Sequence, residues 1–443
     1  MKRLILLIIF GLLTATLALA GQPSNLIKIS LQVGKNPEGI AVNPVTHKAY
    51  VIAEENTEGD DQYALFVLDN HVINATSAPK KLNLPLGTHT HPVKVVHINN
   101  ENEYIAIDST RNLIYVGTKF SIEAADPRGT LTVIDGDTDT VIAAWYFARG
   151  IEPEGVAVDS VNGVVYLGAK APEGEASNND YCSSGTLIPD VAEPGDVECW
   201  TAGTIYAFFF DPIDLTLTKL KEIPAGDDPE SVVFDPVNRL VYAANEDDGT
   251  VTIATAVYPD GSGGELLTDL PRPPTQPYAL GLAPYSLGVF YGDGPNPLAC
   301  IENKFEADKM AAGGGSVFIT DDRSRVAKIT VATVDDTVDI PGATVCEEIP
   351  NSDGGGANTA NNIAYMQKDD KGLLYVVSEQ DTVAIFDPAT MELKATITIP
   401  GAQHLDAIGV DSAANRVWIT DEVLHAVFVL HGACAKGTGV CIK

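Results

Sequence analysis

Basic residues are scarce: 28 Lys and Arg stand against 60 Asp and Glu in 443 residues. A surface this acidic repels nucleic acid and anionic membranes, and it favours cations or basic partners. After the apolar run at 4–13 there is no second stretch long enough for a bilayer, so the mature chain is expected to have no membrane span. No Cys-x-x-Cys spacing occurs, which argues against a zinc ribbon, and without Cys-x-x-Cys-His there is no covalent haem site. Also lacking are a Gly-x-Ser-x-Gly elbow, a Ser-His-Asp order and a phosphate-binding glycine loop. Gly313-Gly314-Gly315 is followed by no Lys-Ser/Thr, and it reads as a flexible loop entering a third strand.

What the chain does have is a repeat. Pro37-Glu38-Gly39-Ile40-Ala41-Val42-Asn43, with Tyr50 further on, returns as Pro153-Glu154-Gly155-Val156-Ala157-Val158-Asp159 with Tyr166. It returns again as Pro229-Glu230-Ser231-Val232-Val233-Phe234-Asp235 with Tyr242. The residue after the proline precedes the aromatic by 12 positions in Glu38/Tyr50, Glu103/Tyr115, Glu154/Tyr166, Glu230/Tyr242, Tyr278/Phe290 and Asp406/Trp418. A seventh copy, Asn361/Tyr375, is spaced by 14 because its turn is longer. Such a period marks one supersecondary unit copied along the chain.

Each unit reads as four short strands. The first is rich in Val and Ile, as a strand buried on both faces requires. A polar turn leads to the second, which carries the aromatic. Third strands are expected at 131–135, 205–210 and 383–386, and the alternating segment 393–399 suits an outer strand with one wet face. Seven such units predict an all-β, seven-bladed β-propeller of four-stranded blades. The last unit has a third strand at 426–430 and then runs out of chain, while 26–34 resembles a fourth strand. The N-terminal strand is therefore expected to join the last blade, closing the ring and protecting an edge.

These residues resemble the YVTN-repeat family of secreted β-propellers, which includes YncE-like proteins. The likeness lies in the Pro-x-Gly-Ile-Ala-Val-Asn-Pro opening at 37–44, the Tyr-Val second strand, and Thr132-Val133-Ile134-Asp135 followed by Asp139-Thr140-Val141. It spans about residues 25–431. The resemblance implies the propeller fold and says little of function, since related blades serve binding proteins and carry chemistry only through added loops or cofactors.

The ends suggest export. Lys2 and Arg3, the apolar run and Ala18-Leu19-Ala20 form a signal peptide over 1–20, with the propeller at 21–431 and a short tail at 432–443. No cysteine follows the cleavage point, so a lipoprotein anchor is not indicated. A periplasmic, extracellular or cell-surface location follows. In such a compartment the six cysteines point to disulfides. Fifteen pairings are open. Placement in loops and closeness in sequence favour Cys182–Cys199, Cys300–Cys346 and Cys434–Cys441, with Cys434 and Cys441 bracketing the tail.

The long loops at 54–61, 119–129, 170–203 and 294–313 should share one face, here called upper, where binding is expected. The position after the proline opens each innermost strand, and so should ring the upper mouth of a central channel. Its members are Glu38, Glu103, Glu154, Glu230, Tyr278, Asn361 and Asp406, five of them acidic. A second acidic set, Glu54, Glu246, Glu379 and Glu422, ends the second strands, interrupted by Lys119 and Lys170. Two carboxylates about 8 Å apart repel by roughly 2 kcal/mol at an effective dielectric near 20. The ring is either solvated or holds positive charge. Glu38, Glu103, Glu154, Glu230, Asn361 and Asp406 offer oxygen ligands that suit a hard ion such as Ca²⁺. His89, His91 and His97 share a face if extended, but lack a fourth zinc ligand, and loop histidines are the plainer reading. His404, beside Asp406, is the candidate catalytic acid–base residue.

A binding or scaffold module is the leading functional expectation, taking a small ligand or an extracellular protein on its acidic upper face. The alternatives are a cation-dependent, lactonase-like hydrolase or lyase at the channel mouth, and the large subunit of a periplasmic redox enzyme.

Overall fold

The computed structural model describes residues 26–27, 35–54, 63–69, 80–83, 104–119, 128–149, 151–170, 186–189, 197–200, 203–226, 228–245, 250–267, 286–288, 308–320, 325–330, 333–339, 360–368, 371–378 and 380–431. Among these there is no helix; they form seven antiparallel four-stranded sheets and one additional hairpin. Sheet 1 comprises Lys35–Val42, Ala49–Glu54, Tyr63–Leu68 and Lys80–Asn83, and sheet 2 Ile105–Asp108, Leu113–Thr118, Arg128–Asp135 and Thr140–Arg149. Sheet 3 contains Glu152–Asp159, Val164–Lys170, Thr204–Asp211 and Thr216–Pro224. Sheet 4 contains Pro229–Asp235, Leu240–Asn245, Thr250–Thr255 and Ser286–Gly288. Sheet 5 has Met310–Gly313, Ser316–Thr320, Arg325–Thr330 and Thr333–Asp339. Sheet 6 has Ala360–Lys368, Lys371–Ser378, Thr382–Phe386 and Leu393–Thr398. Sheet 7 is built from Leu405–Asp411, Arg416–Asp421, Ala426–His431 and, from the other end of the chain, Leu26–Ile27. The hairpin Thr186–Pro189/Val197–Trp200 lies between the second and third strands of sheet 3.

The packing is propeller-like. First strands of successive sheets touch in order from sheet 1 to sheet 7, and that of sheet 7 touches that of sheet 1. Seven apolar clusters fill the seven junctions, and each contains one second-strand aromatic. Tyr50 lies between sheets 1 and 2, Tyr115 between 2 and 3, Tyr166 between 3 and 4, and Tyr242 between 4 and 5. Phe318, Tyr375 and Trp418 follow, and Trp418 packs with Val42 and Val51 across the junction of sheets 7 and 1. All seven rings are at most 1% exposed. The repeat's fixed aromatic is thus the wedge between neighbouring sheets, worth roughly 3–5 kcal/mol each by the aromatic truncation scale.

On the lower face the turns lock neighbours together. Asp159 Oδ1 accepts from the Val161 and Asn162 amides, and the turn ends at Gly163 with φ 72°. The same five-residue turn recurs at Asn43, Asp108, Asp235 and Asp411, closing in the left-handed region at His47, Asn112, Arg239 and Asn415. Side chains then cross between sheets. Arg239 donates to Asp159 Oδ2 at 2.6 Å, Arg111 to the Ser160 carbonyl at 2.9 Å, and His47 Nδ1 meets Asp411 Oδ2 at 2.7 Å. That last pair joins sheet 1 to sheet 7.

Leu26 and Ile27 pair with Leu430 and Val429 on the strand beside the one bearing Trp418, which is where the N-terminal strand is expected; 28–34 lie outside the described residues. The fifth repeat requires a correction. Ser286–Gly288 pairs with Thr250–Thr255 as the outer strand of sheet 4, so 278–290 does not open sheet 5. Sheet 5 begins at Met310–Gly313, and Gly313-Gly314-Gly315 carries the turn from first to second strand, not a loop into a third. Gly314 and Gly315, at φ 62° and 79°, make a two-residue turn where other sheets use a longer one. Phe318 is the true wedge, facing Ala311 as Tyr166 faces Ala157. The channel column therefore passes through Asp308, not Tyr278.

Candidate functional site at the upper channel mouth

The column is aimed by the backbone. Glu38, Glu154, Glu230, Asn361 and Asp406 each fall at a register shift in a first strand, where the extra residue breaks the strict alternation of faces. A bulge bends the strand and redirects a side chain, and it is a common device beside binding sites. Here it recurs in five sheets at the same repeat position. Glycine after the bulged residue permits close approach: a Cβ on Gly155 would lie 2.2 Å from the Val232 amide nitrogen of sheet 4.

Below the mouth lies a well of about 240 Å³ to which all seven sheets contribute. Ile40, Val156, Val232, Ile363 and Ile408 are among its lining residues, yet more of the surface it exposes is polar than apolar. Its polar lining comes from Tyr104, Ser231, Lys309 and Asn362. Glu38, Glu154, Glu230, Asp308 and Asp406 are not among its lining residues.

Around Tyr104 the charges are ordered. Tyr104 is 5% exposed and its hydroxyl reaches from sheet 2 to Glu230 Oε1 of sheet 4 at 3.2 Å. Lys309 Nζ lies 2.6 Å from the same oxygen and 2.8 Å from Asp308 Oδ1. Lys119 Nζ is 3.0 Å from Glu154 Oε2, and both ammonium groups face the Tyr104 ring, at 5.7 and 6.0 Å from its centre. Lys170 pairs with Asp228 at 2.9 Å. Burial pushes the Glu154 carboxyl well above its ordinary range; Lys119 and a hydrogen bond from Tyr104 oppose the rise, while Asp228 and Glu230 reinforce it. Burial thus dominates at Glu154, as expected for a carboxyl that is 1% exposed.

The expected site residues fare unevenly. Glu38, Glu154, Glu230 and Asp406 hold the same bulged position in the first strands of sheets 1, 3, 4 and 7, and Asn361 holds it in sheet 6 as a strand residue. Glu103 lies outside the described residues, as do Cys182, Cys300, Cys346, Cys434 and Cys441, while Cys199 is placed only as a strand residue. His89, His91 and His97 also lie outside. His404 pairs with Glu422 Oε2 at 3.3 Å, so its nearest carboxylate partner is Glu422 rather than the expected Asp406. Among the described residues no group of three or more His, Cys, Asp or Glu forms a ready metal cage. The same residues include no helix long and apolar enough to cross a membrane.

Sequence reasoning missed Asp308, Asp228, Tyr104 and Lys309. Asp308 was legible as the residue three before Ala311, once the short glycine turn is recognised. Tyr104 and Lys309 flank column positions and carry no repeat signal of their own. No protein-family model matches the chain, and no curated protein matches it.

Proposed function

We propose that the chain is an exported, closed seven-bladed β-propeller of the YVTN-repeat kind. In this reading it acts as a binding module whose ligand enters the central well at the bulged acidic rim. One observation carries the proposal: first strands from all seven sheets line a single well beneath the column. The bulge repeated at one position in the first strands of five sheets supports it, because bulges cost ladder hydrogen bonds and are common beside binding sites. The volume is below the usual range for drug-sized ligands, so the ligand is small or enters by one end. Crystals soaked with a small fragment set test the reading. Fragments should occupy the well among Ile40, Val156, Val232 and Ile363; fragments bound only on outer surfaces would refute it.

A hard divalent cation is the second reading, favoured by the discovery that Asp308 makes six of the seven column positions acidic. Lys119 and Lys309 offset part of that charge at Glu154, Glu230 and Asp308. The cation's affinity should be on the order of 10⁻⁴–10⁻³ M, as in other extracellular Ca²⁺ modules. Calorimetry with CaCl₂ up to ~10 mM should show binding heat and a rise in Tm; a flat titration removes this reading.

A further inference from the structure

We propose that the well takes a small neutral molecule that presents a carbonyl oxygen to sheets 4, 5 and 6. This rests on the binding-module reading above and names the chemistry of its ligand.

Residues that follow the column positions line the well, and they divide it into two sides. In sheets 4, 5 and 6 they are Ser231, Lys309 and Asn362; in sheets 3 and 7 they are Gly155 and Ala407, which leave space. The polar side offers donors. The Ile363 amide donates to Asn362 Oδ1 at 2.8 Å, which fixes the side-chain amide and leaves its NH₂ group for a ligand. The Met310 amide donates to Ser231 Oγ at 3.1 Å, so the Ser231 O–H is left to donate. Neither side chain makes another hydrogen bond among the described residues. Lys309, between them in the ring, has donors only. Backbone groups do not reverse this bias, because each first strand is the edge of its sheet and an edge carries N–H and C=O groups alike.

A cationic head would sit against these donors. An anionic head would meet Lys309 only beside Glu230 and Asp308, which lie 2.6 and 2.8 Å from its ammonium, two carboxylates to one positive charge. A neutral carbonyl avoids both conflicts, and its two lone pairs can accept from two of the donors. A surface that is more polar than apolar suits such a ligand better than a hydrocarbon.

Butyramide, butyrate and butyramidinium share one shape and differ at the head, which is a neutral carbonyl, an anionic acceptor or a cationic donor. Isoleucine-methyl NMR titrations of the mature protein with each, read at Ile363 and Ile408, test the proposal. Butyramide should shift both methyls saturably, and the two ions should bind at least about tenfold more weakly. Asn362→Asp keeps the acceptor for the Ile363 amide but turns the donor into a second acceptor. It should weaken butyramide about tenfold and reverse the order, so that butyramidinium binds this variant more tightly than butyramide does. Ser231→Ala should weaken butyramide about threefold or more. The three-ligand comparison on the unaltered protein decides even if a variant fails to fold. Equal or tighter binding of either ion by the unaltered protein, or an unchanged order in Asn362→Asp, overturns the proposal. If butyramide leaves both methyls unmoved while soaked fragments of other chemistry occupy the well, this inference falls and the binding-module reading stands; if no fragment enters the well, both fall.

Discussion

Removing one oxygen atom from each of three buried tyrosines should give opposite results. Tyr166, Tyr115 and Tyr375 occupy the same wedge position and are fully buried. The Tyr166 hydroxyl accepts the Val257 amide at 2.8 Å and donates to the Val257 carbonyl at 3.3 Å. Val257 is itself fully buried, so Tyr166→Phe strands an N–H and a C=O away from water. Losing a buried partner costs about 1–3 kcal/mol per stranded group, and the carbonyl's second lone pair places the expected total near 2–3 kcal/mol. The hydroxyls of Tyr115 and Tyr375 are buried and make no hydrogen bond among the described residues. Their change to Phe removes an unsatisfied polar atom and should be neutral or stabilising by up to ~1 kcal/mol. Tyr166→Ala should cost more than Tyr166→Phe, about 3–5 kcal/mol, because it also removes the stack on Phe234 at 5.8 Å. Urea titration followed by tryptophan fluorescence and circular dichroism measures all four variants. If the three Tyr→Phe changes agree within ~0.5 kcal/mol, below the effect of one stranded group, the hydroxyl argument is wrong.

Gly155→Ala should destabilise by ~1–3 kcal/mol through overpacking, and more than Gly409→Ala, whose nearest neighbour is a Val42 methyl at 3.0 Å rather than backbone; thermal melts rank the two. At Asp159, burial alone would raise the carboxyl pKa, but hydrogen bonds from Arg239 and Asn162 prevail and hold it below its ordinary value. A depressed carboxylate contributes stability above its unfolded pKa and loses it as pH falls through the folded one. Arg239→Ala should therefore cost ~1.5–3 kcal/mol at pH 7 and flatten acid unfolding below about pH 4; an unchanged acid limb would contradict this. Glu154 has the opposite sign. Its raised pKa gives stability that is full below the unfolded value near 4.5 and declines as pH rises toward the folded pKa. Glu154→Gln should remove that decline, read from unfolding free energies between pH 4.5 and 8; an undiminished slope assigns it elsewhere.

Much of the architecture was legible because the repeat encodes it. Tyr50, Tyr166 and Trp418 sit where two sheets must be held apart and together at once, so spacing from the column to the wedge is kept wherever the turn length is kept. Sheet 5 shows the limit. Its Gly314-Gly315 turn is two residues long, so Asp308 and Phe318 are 10 apart, and the regular spacing of Tyr278 and Phe290 was a coincidence of composition. The rim was half legible. Position in the repeat identified Glu154 and Glu230, but not their partners, because Tyr104 crosses from sheet 2 to sheet 4 and such reach depends on three-dimensional closure. Likewise His404 was read against Asp406, two residues away, while the turn of sheet 7 brings Glu422 to it.

The central claim, a closed ring of sheets around one ligand-accepting well, is tested most directly by methyl NMR on isoleucine-labelled protein. Ile40, Ile105, Ile363 and Ile408 line the well from sheets 1, 2, 6 and 7. The account predicts cross-peaks between Ile40 and Ile408 methyls, and joint shifts of all four on adding a fragment that occupies the well. Absence of the Ile40–Ile408 cross-peak, with shifts confined to isoleucines outside the well, would contradict it.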